Sequence, residues 1–394
     1  MKEETKDTVL IDCMREIPDP RAPYNQRHKF LDIIIIAVTA VLAGMDTWNE
    51  IADWAVSKKE WLGTFLELPG GIPSHDTINR VFQMIDPKKF HDAFFRWAGA
   101  VSGKVKGVVA IDGKTARRSR EETGNIKPIH TVSAWAVESS LVLGQLCVDE
   151  KTNEIKTIPE LLDILCLQGC IVTIDAMGTQ KKIAEKIIEK NADYILQVKG
   201  NQQTLMNDIR EYFEKNVFTK KKEELEKAER YFKTLCGEHG RLQKREYYVE
   251  NDIEWLKEKH PDWEGLSGIG ACVSTVTEKG KTVTAVNYTI YSRQGMTASE
   301  YGESARSHWG IENSLHWILD MAFREDESRI RAGNAAENMN IARHIGINLL
   351  KQEKSCRMGV ASKRKKCSYD KDYLFKVLAG LNTGIEWKVQ INYR

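Results

Sequence analysis

Apolar residues recur along the chain with two different periods, and the change of period divides it. Between 30 and about 100 they return every three or four positions, the spacing of one helical face. A helix is predicted over 30–44, closed by Gly44, and a second over 47–57 with Trp48, Ile51 and Trp54 on one side. Ser74 and Thr77 open a third, over 76–85, whose stripe is Ile78, Val81, Phe82 and Ile85. Asp86-Pro87 starts a fourth, carrying Phe90, Phe94 and Trp97, aromatics that read as core. From 107 the pattern becomes short β-rich runs alternating with helical ones. Strands are expected at 107–112, 129–137 and 141–149, the last two joined by the polar Glu138-Ser-Ser140 turn. A helix at 158–167, a strand at 170–175, a helix at 180–191 with Thr179 as its N-cap and a strand at 194–198 follow. A charged helical stretch over 201–227 leads into β-rich sequence at 245–250, 269–277 and 282–292, and helices at 304–323 and 334–350 end the pattern.

Composition narrows the class. At 394 residues, 42% hydrophobic and 29% charged, the chain has the balance of an ordinary globular protein with room for two or three domains. Its net charge of +2 does not announce a nucleic-acid binder, but the charge is uneven. Residues 351–372 hold eight Lys or Arg against three acids, either a solvated segment or a contact for a phosphate backbone. Eight scattered cysteines without a C-x-x-C pair argue against a zinc ribbon and fit a reducing cytosol. No signal peptide is evident, and the longest apolar run, 33–44, is too short to span a bilayer, so a cytoplasmic protein without membrane contact is expected.

The chemistry gathers at strand ends. In Val108-Val-Ala-Ile-Asp-Gly-Lys114 an apolar run ends in Asp112, Gly113 offers a turn, and Lys114, Arg117 and Arg118 follow. The pattern recurs in Cys170-Ile-Val-Thr-Ile-Asp175. A third carboxylate, Glu312, borders the helical stripe Ile311, Leu315, Ile318 and Ala322. Carboxylates converging from a core repel one another unless a hard divalent cation neutralises them, which suits Mg²⁺ and phosphate chemistry. A local rival is zinc on His308, Glu312 and His316, spaced at i, i+4 and i+8 on one helical face.

These motifs carry a resemblance. Ala110-Ile-Asp-Gly-Lys114, Thr173-Ile-Asp-Ala176, Gln197-Val-Lys-Gly-Asn-Gln202 and His308-Trp-Gly-Ile-Glu-Asn-Ser-Leu-His-Trp317 resemble the ISAs1 insertion-sequence transposases. That group includes the H-repeat-associated proteins and is related to the IS4-type DDE enzymes. Pro20-Arg-Ala-Pro23 and Gly71-Ile-Pro-Ser-His-Asp-Thr-Ile-Asn-Arg80 extend the likeness to the N-terminal region. The resemblance implies an α/β fold with a ribonuclease-H-like core, a mixed sheet flanked by helices. In that core the first and fourth strands lie side by side, so Asp112 and Asp175 become neighbours although 63 positions apart. It implies that the N-terminal domain (1–103), all-helical by its pattern, makes DNA-end contacts, for which Arg21, Arg27, His28 and Lys29, or the exposed face of 76–85, are candidates. The core would occupy 104–214 and 301–352, split by a mainly β insertion (215–300) in which Glu238-His-Gly-Arg241 is a candidate loop, with a basic segment at 353–394.

Further implications are a catalytic and metal-binding triad of Asp112, Asp175 and Glu312, Mg²⁺ as cofactor with Mn²⁺ as substitute, transposon-end and target DNA as partners, and a homodimer on DNA. Lys114, Arg117, Lys199, Gln202, Arg306, His308, His316 and Arg324 are the expected DNA contacts. The chain departs from the IS4 signature, which has Tyr seven and Arg four positions before the Glu and Lys seven after it; here these are Ala305, His308 and Leu319. Arg306, His316 and Arg324 are alternatives for the missing charge. Two further readings stay open: a nuclease of the same fold that only hydrolyses, and a DNA-binding relic without catalysis.

Overall fold

The computed structural model describes residues 9–118, 128–148, 154–238 and 241–380. The N-terminal region is helical, as its period predicts: α1 (Leu10–Arg15), α2 (Phe30–Leu42), α3 (Trp48–Ser57), α4 (Lys59–Leu62), α5 (His75–Met84) and α6 (Pro87–Ser102). Helix α2 is apolar on every side because it is buried on every side. A capping box between Thr47 and Glu50 starts α3, Ser74 caps α5, and Asp86 with Pro87 opens α6.

The chain then builds strands β1 (Val108–Thr115), β2 (His130–Ala136) and β3 (Leu141–Val148) as an antiparallel meander. Helix α7 (Glu154–Ile164), β4 (Ile171–Ile174), α8 (Lys181–Glu189) and β5 (Asp193–Val198) follow, with β4 parallel to β1 and β5 parallel to β4. This is the ribonuclease-H-like order, and the expected adjacency of the first and fourth strands is met.

The stretch expected to be one charged helix breaks into α9 (Gln203–Tyr212), a π-helical turn (Phe213–Val217) and α10 (Lys222–Lys227). Strands β6 (Tyr231–Glu238) and β7 (Arg241–Glu250), helix α11 (Glu254–Lys259), then β8 (Gly268–Glu278) and β9 (Lys281–Tyr291) come next. Strand β6 went unread in the sequence. Residues 239 and 240 of Glu238-His-Gly-Arg241 lie outside the described residues. The β-rich stretch extends the core sheet: β9 pairs with β5, and the nine-stranded order is β3-β2-β1-β4-β5-β9-β8-β7-β6. The remaining helices are α12 (Ala298–Ile311), α13 (Trp317–Met321), α14 (Ala335–Gln352), α15 (Val360–Tyr369) and α16 (Lys371–Ala379). The helix expected over 304–323 begins earlier, at a Thr297–Glu300 capping box, and a π-helical turn (Glu312–His316) separates α12 from α13.

Alternation along β1 sorts its side chains between two cores. Val109 and Ile111 pack with α7 and α8, whereas Ala110 packs with Trp135, Val142 and the helices α2, α6 and α14. Asp112 and Lys114 continue the Ala110 side, towards α13 and α14. No helix among the described residues is long and apolar enough to cross a membrane.

Candidate active site

Two strands and one helix bring the three carboxylates together. Ile111 pairs with Ile174 at the last register position between β1 and β4, so Asp112 and Asp175 follow side by side. Adjacent strands run about 4.8 Å apart. Strand β1 does not turn at Gly113 as expected but runs on to Thr115, because β2 holds it, Asp112 facing Ser133 and Lys114 facing Thr131. Gly113 is required for another reason. A Cβ there would stand 2.5 Å from Glu154 Oε1 and 2.6 Å from His130 Nε2, a buried pair under the far side of the strand.

Asp175 sits in a tight loop. One of its oxygens accepts from the backbone N–H of Met177 (3.0 Å) and of Gly178 (3.2 Å). Thr179, expected as an N-cap, does something else: its hydroxyl donates to Gln197 O at 2.6 Å and lies 3.3 Å from Asp175 O. Asn201 Nδ2 donates to Ala176 O at 2.6 Å and Gln202 Nε2 to Thr179 O at 3.1 Å. The Gln197–Gln202 motif therefore fastens the Asp175 loop, with one Gln202 N–H on that carbonyl.

Glu312 is brought over the strand ends by its helical neighbours. His308 Nδ1 is 3.1 Å from Thr173 Oγ1 on β4, and His316 Nδ1 is 3.6 Å from Asp112 Oδ2 on β1. These two contacts bracket Glu312, which is exposed on the same stripe. The π-helical turn adds a residue between the brackets, a device common at functional sites.

Both imidazoles are tied to different strands, so they do not converge with Glu312 on one zinc ion. Among the described residues they form no group of three ligand atoms within 4.8 Å. Nor are they cations at neutral pH. Burial lowers His308, and burial together with Lys114, His308 and His130 pushes His316 down to about 3. Neither supplies the positive charge that the IS4 signature places here.

Lys114, expected to face phosphate, is turned away. Its ammonium lies 2.7 Å from Asp320, 2.7 Å from Glu325 and 3.7 Å from Asp326. Burial works to lower it, and those acids outweigh burial and hold it charged. Arg117 is 83% exposed beside Asp326, Lys199 and Arg306 are exposed, and Arg324 lies in the left-handed region with its guanidinium on Glu327. Arg324, Arg329 and Arg331 line a groove of about 630 Å³ with Trp48, Glu50 and His75. In the N-terminal region, Arg21 is buried and held by Asp19 and the carbonyl of His28. Arg27, His28 and Arg80 line a separate groove of about 540 Å³. Two exposed tryptophans, Trp309 and Trp317, flank Glu312 and were missed in the sequence. Their signal is that large aromatics stand off the helix's apolar stripe.

The donors suit a hard divalent cation. All three carry oxygen only, and Asp112 retains 27% of its side-chain exposure. Burial pushes the Asp112 carboxyl up to about 7; the Gly113 N–H opposes this, and Asp175, Glu154 and Glu312 add to it. Among the described residues no lysine or arginine pairs with Asp112, Asp175 or Glu312. Their oxygens do not all lie within 4.8 Å of one another, wider than the coordination sphere of a single ion.

Known proteins resemble this chain over nearly its whole length. Residues 11–98 match the family model described as DDE_Tnp_1-associated, and 103–349 match the Transposase DDE domain. The chain is 40% identical over 373 residues to "Putative transposase YncI" of Escherichia coli O157:H7, covering 94% of each protein. It is 38% identical over 377 residues to "H repeat-associated putative transposase YhhI" of Escherichia coli (strain K12), covering 94% of this chain and 98% of that one. A piggyBac transposase from a synaptic complex with hairpin DNA aligns with 93% of this chain and 77% of its own, at TM-score 0.42 and 10% identity. With a domain match over more than half its length and relatives aligned almost end to end, the chain belongs to the IS4-like DDE transposases.

Proposed function

We propose that the protein nicks the ends of an ISAs1-type insertion sequence and joins the freed 3′-hydroxyls to target DNA, with Asp112, Asp175 and Glu312 holding Mg²⁺, or Mn²⁺ in its place. As a DDE transposase it acts on DNA and depends on a divalent metal. The observation that carries the assignment is the Ile111–Ile174 register, which sets Asp112 beside Asp175, with Glu312 bracketed above them by His308 and His316. Bound at these oxygens, a pair of divalent ions would activate the attacking oxygen and stabilise the leaving one.

The chain's own residues do the positioning. Asp112, whose carboxyl feels both other carboxylates, would hold the metal together with them. The Thr179, Asn201 and Gln202 hydrogen bonds fix the loop that aims Asp175. Neutral His316 steers the Asp112 carboxylate without competing as a cation. Strand nicking and strand transfer are the same in-line displacement, in which the attacking oxygen bonds to phosphorus as the opposite P–O bond breaks, so one site serves both. Arg117, Lys199, Arg306 and Arg324 are the exposed cations for the DNA backbone. Lys114, His308, His316 and Gln202 act beneath it by shaping the site. The helical N-terminal domain (1–103) holds the DNA ends, the working form is a homodimer on DNA, and the compartment is the cytoplasm.

The test is nicking and joining of labelled terminal-repeat DNA with Mg²⁺. Asp112→Asn lowers both by roughly 10³-fold or more, the loss of several kcal/mol of charge stabilisation, while DNA affinity is kept. Nicking without joining would mean a nuclease, and binding without nicking a relic. Normal turnover by Asp112→Asn would remove the assignment.

A further inference from the structure

A second cluster of ligating side chains lies away from the carboxylate triad, where the N-terminal helices meet the sheet. His91 on α6, Cys147 on β3 and Glu337 on α14 place one ligand atom each within 4.8 Å of the others. His91 Nε2 is 3.0 Å from Glu337 Oε1, and the Cys147 thiol lies beside the same carboxylate and 3.6 Å from Thr131 Oγ1. We propose that His91, Cys147 and Glu337 form a zinc site that fastens α6 to β3 and α14.

Donor chemistry selects the ion. A thiolate and an imidazole are poor ligands for Mg²⁺ or Ca²⁺ and good ones for zinc, and three protein ligands leave the fourth tetrahedral position to water. Zinc bonds of ~2.0–2.3 Å put neighbouring donors roughly 3.3–3.7 Å apart, so His91 and Glu337 need part by only a few tenths of an ångström. Charge also balances, since one thiolate and one carboxylate cancel a divalent ion and leave no net charge beneath α14. The proton balance is simple. Zinc takes the place of the Cys147 thiol proton, which goes to solvent, and the His91 proton sits on Nδ1. In the metal-free chain Glu337 Oε1 accepts from His91 Nε2–H, so loading shifts that proton to Nδ1, which has no hydrogen-bond partner. Because zinc must displace the Cys147 thiol proton, loading is expected to weaken as pH falls.

The site has a way in and a structural purpose. Strand β3 is the edge of the sheet, and Cys147 and Glu337 both retain some exposure, whereas His91 is buried. Cys147 lies in the same cross-strand row as Thr131 and Lys114, and Asn340 of α14 bonds Thr131 at 3.4 Å. A metal here would therefore brace the row that ends beside Asp112. The three ligands are spread from position 91 to 337 on separate elements, which is why no spacing rule reveals them.

The experiment uses the full chain with Asp112→Asn and Glu312→Gln, which removes the triad as a competing site, in Mg²⁺ buffer. After exposure to zinc and dialysis, elemental analysis should find about one zinc per chain. Cobalt loading should give a near-ultraviolet thiolate-to-cobalt charge-transfer band. Added Cys147→Ala should abolish both, and Glu337→Gln should weaken zinc binding by roughly tenfold or more, with circular dichroism showing both variants folded. Zinc should also raise Tm by about 3 °C or more in the parent and not in Cys147→Ala. No retained zinc, a cobalt adduct without the band, or equal zinc content in folded Cys147→Ala would each overturn the site, leaving a hydrogen-bonded cluster.

Discussion

Gly113 shows how closely the residues around the site are fitted. Its neighbours Asp112 and Lys114 face α13 and α14, and its missing side chain faces the buried His130–Glu154 pair. Thr115 Oγ1 holds the other ring nitrogen of His130 at 2.8 Å, so that pair cannot swing aside. Gly113→Ala should cost about 2–4 kcal/mol by overpacking, seen as a fall in Tm, and should reduce cleavage because Asp112 moves with the strand. Asp112 and Asp175 were legible in the sequence because an apolar run ending in a carboxylate is a local pattern that occurs twice. The partners of Lys114 were not. Asp320, Glu325 and Asp326 lie more than 200 positions away, and no periodicity announces that they will reach a β1 lysine. The neutral state of His316 was hidden for the same reason, since burial is set by α14 and β1 and not by its own helix.

Among the elements, the loop after β4 matters most for the chemistry. Thr179→Val keeps the shape of the side chain and removes the hydroxyl that donates to Gln197 O. The lost bond in a buried setting should lower stability by about 1–2 kcal/mol. Cleavage should fall by roughly tenfold or more as Asp175 drifts, with DNA affinity unchanged in a binding assay. Unchanged cleavage would mean that Asn201 and Gln202 suffice to hold the loop. At the far end of the core, Glu353 caps α14 and ties it to α16. Burial favours its neutral form, but Ser355, Tyr373 and the backbone of Ser355 and Cys356 hold its carboxyl down at about 2, below the ordinary 4.5. A depressed carboxyl stabilises the fold above its unfolded value and loses that contribution as pH falls through the folded one. Glu353→Gln should therefore cost about 3 kcal/mol at pH 7, and the gap to the parent should close between pH 4.5 and about 2 in denaturant titrations. Helices with a clean stripe were readable to within a few residues. The π-helical turn at Glu312 was not, because its extra residue is stabilised by contacts to β1 and β4 and not by local propensity.

At the scale of the whole molecule, the helical N-terminal region and the sheet share one apolar core. Residues of α2, α5 and α6 pack in a single cluster with Trp135, Val142, Leu315, Ile318 and much of α14. Helix α14 stitches them: Asn338 Nδ2 donates to the carbonyls of Phe82 and Ile85, and Asn348 bonds both the N–H and the C=O of Val142. The same fusion reinterprets the basic C-terminal segment. Charge counting reads residues 351–372 as one patch, yet two of its cations point inwards. Lys363 donates to Leu350 O at 2.8 Å. Arg364 donates to Val41 O and to Ala322 O, pairs with Asp46 at 2.9 Å, and lies 4.2 Å over the Phe323 ring. Composition cannot tell an inward arginine from an outward one; only the docking of α15 against the ends of α2 and α13 does. Arg364→Ala removes that clasp and leaves Asp46 unpaired, so stability should fall by about 3–5 kcal/mol, whereas exposed Lys365→Ala should change it by no more than about 0.5 kcal/mol. DNA binding separates the two roles. At a temperature where both variants are folded, the slope of log Kd against log salt should be unchanged in Arg364→Ala and reduced by about one in Lys365→Ala if the outer face meets phosphate. A slope that drops in Arg364→Ala would show that the guanidinium leaves its pocket for DNA, and the structural reading of the segment would fall with it.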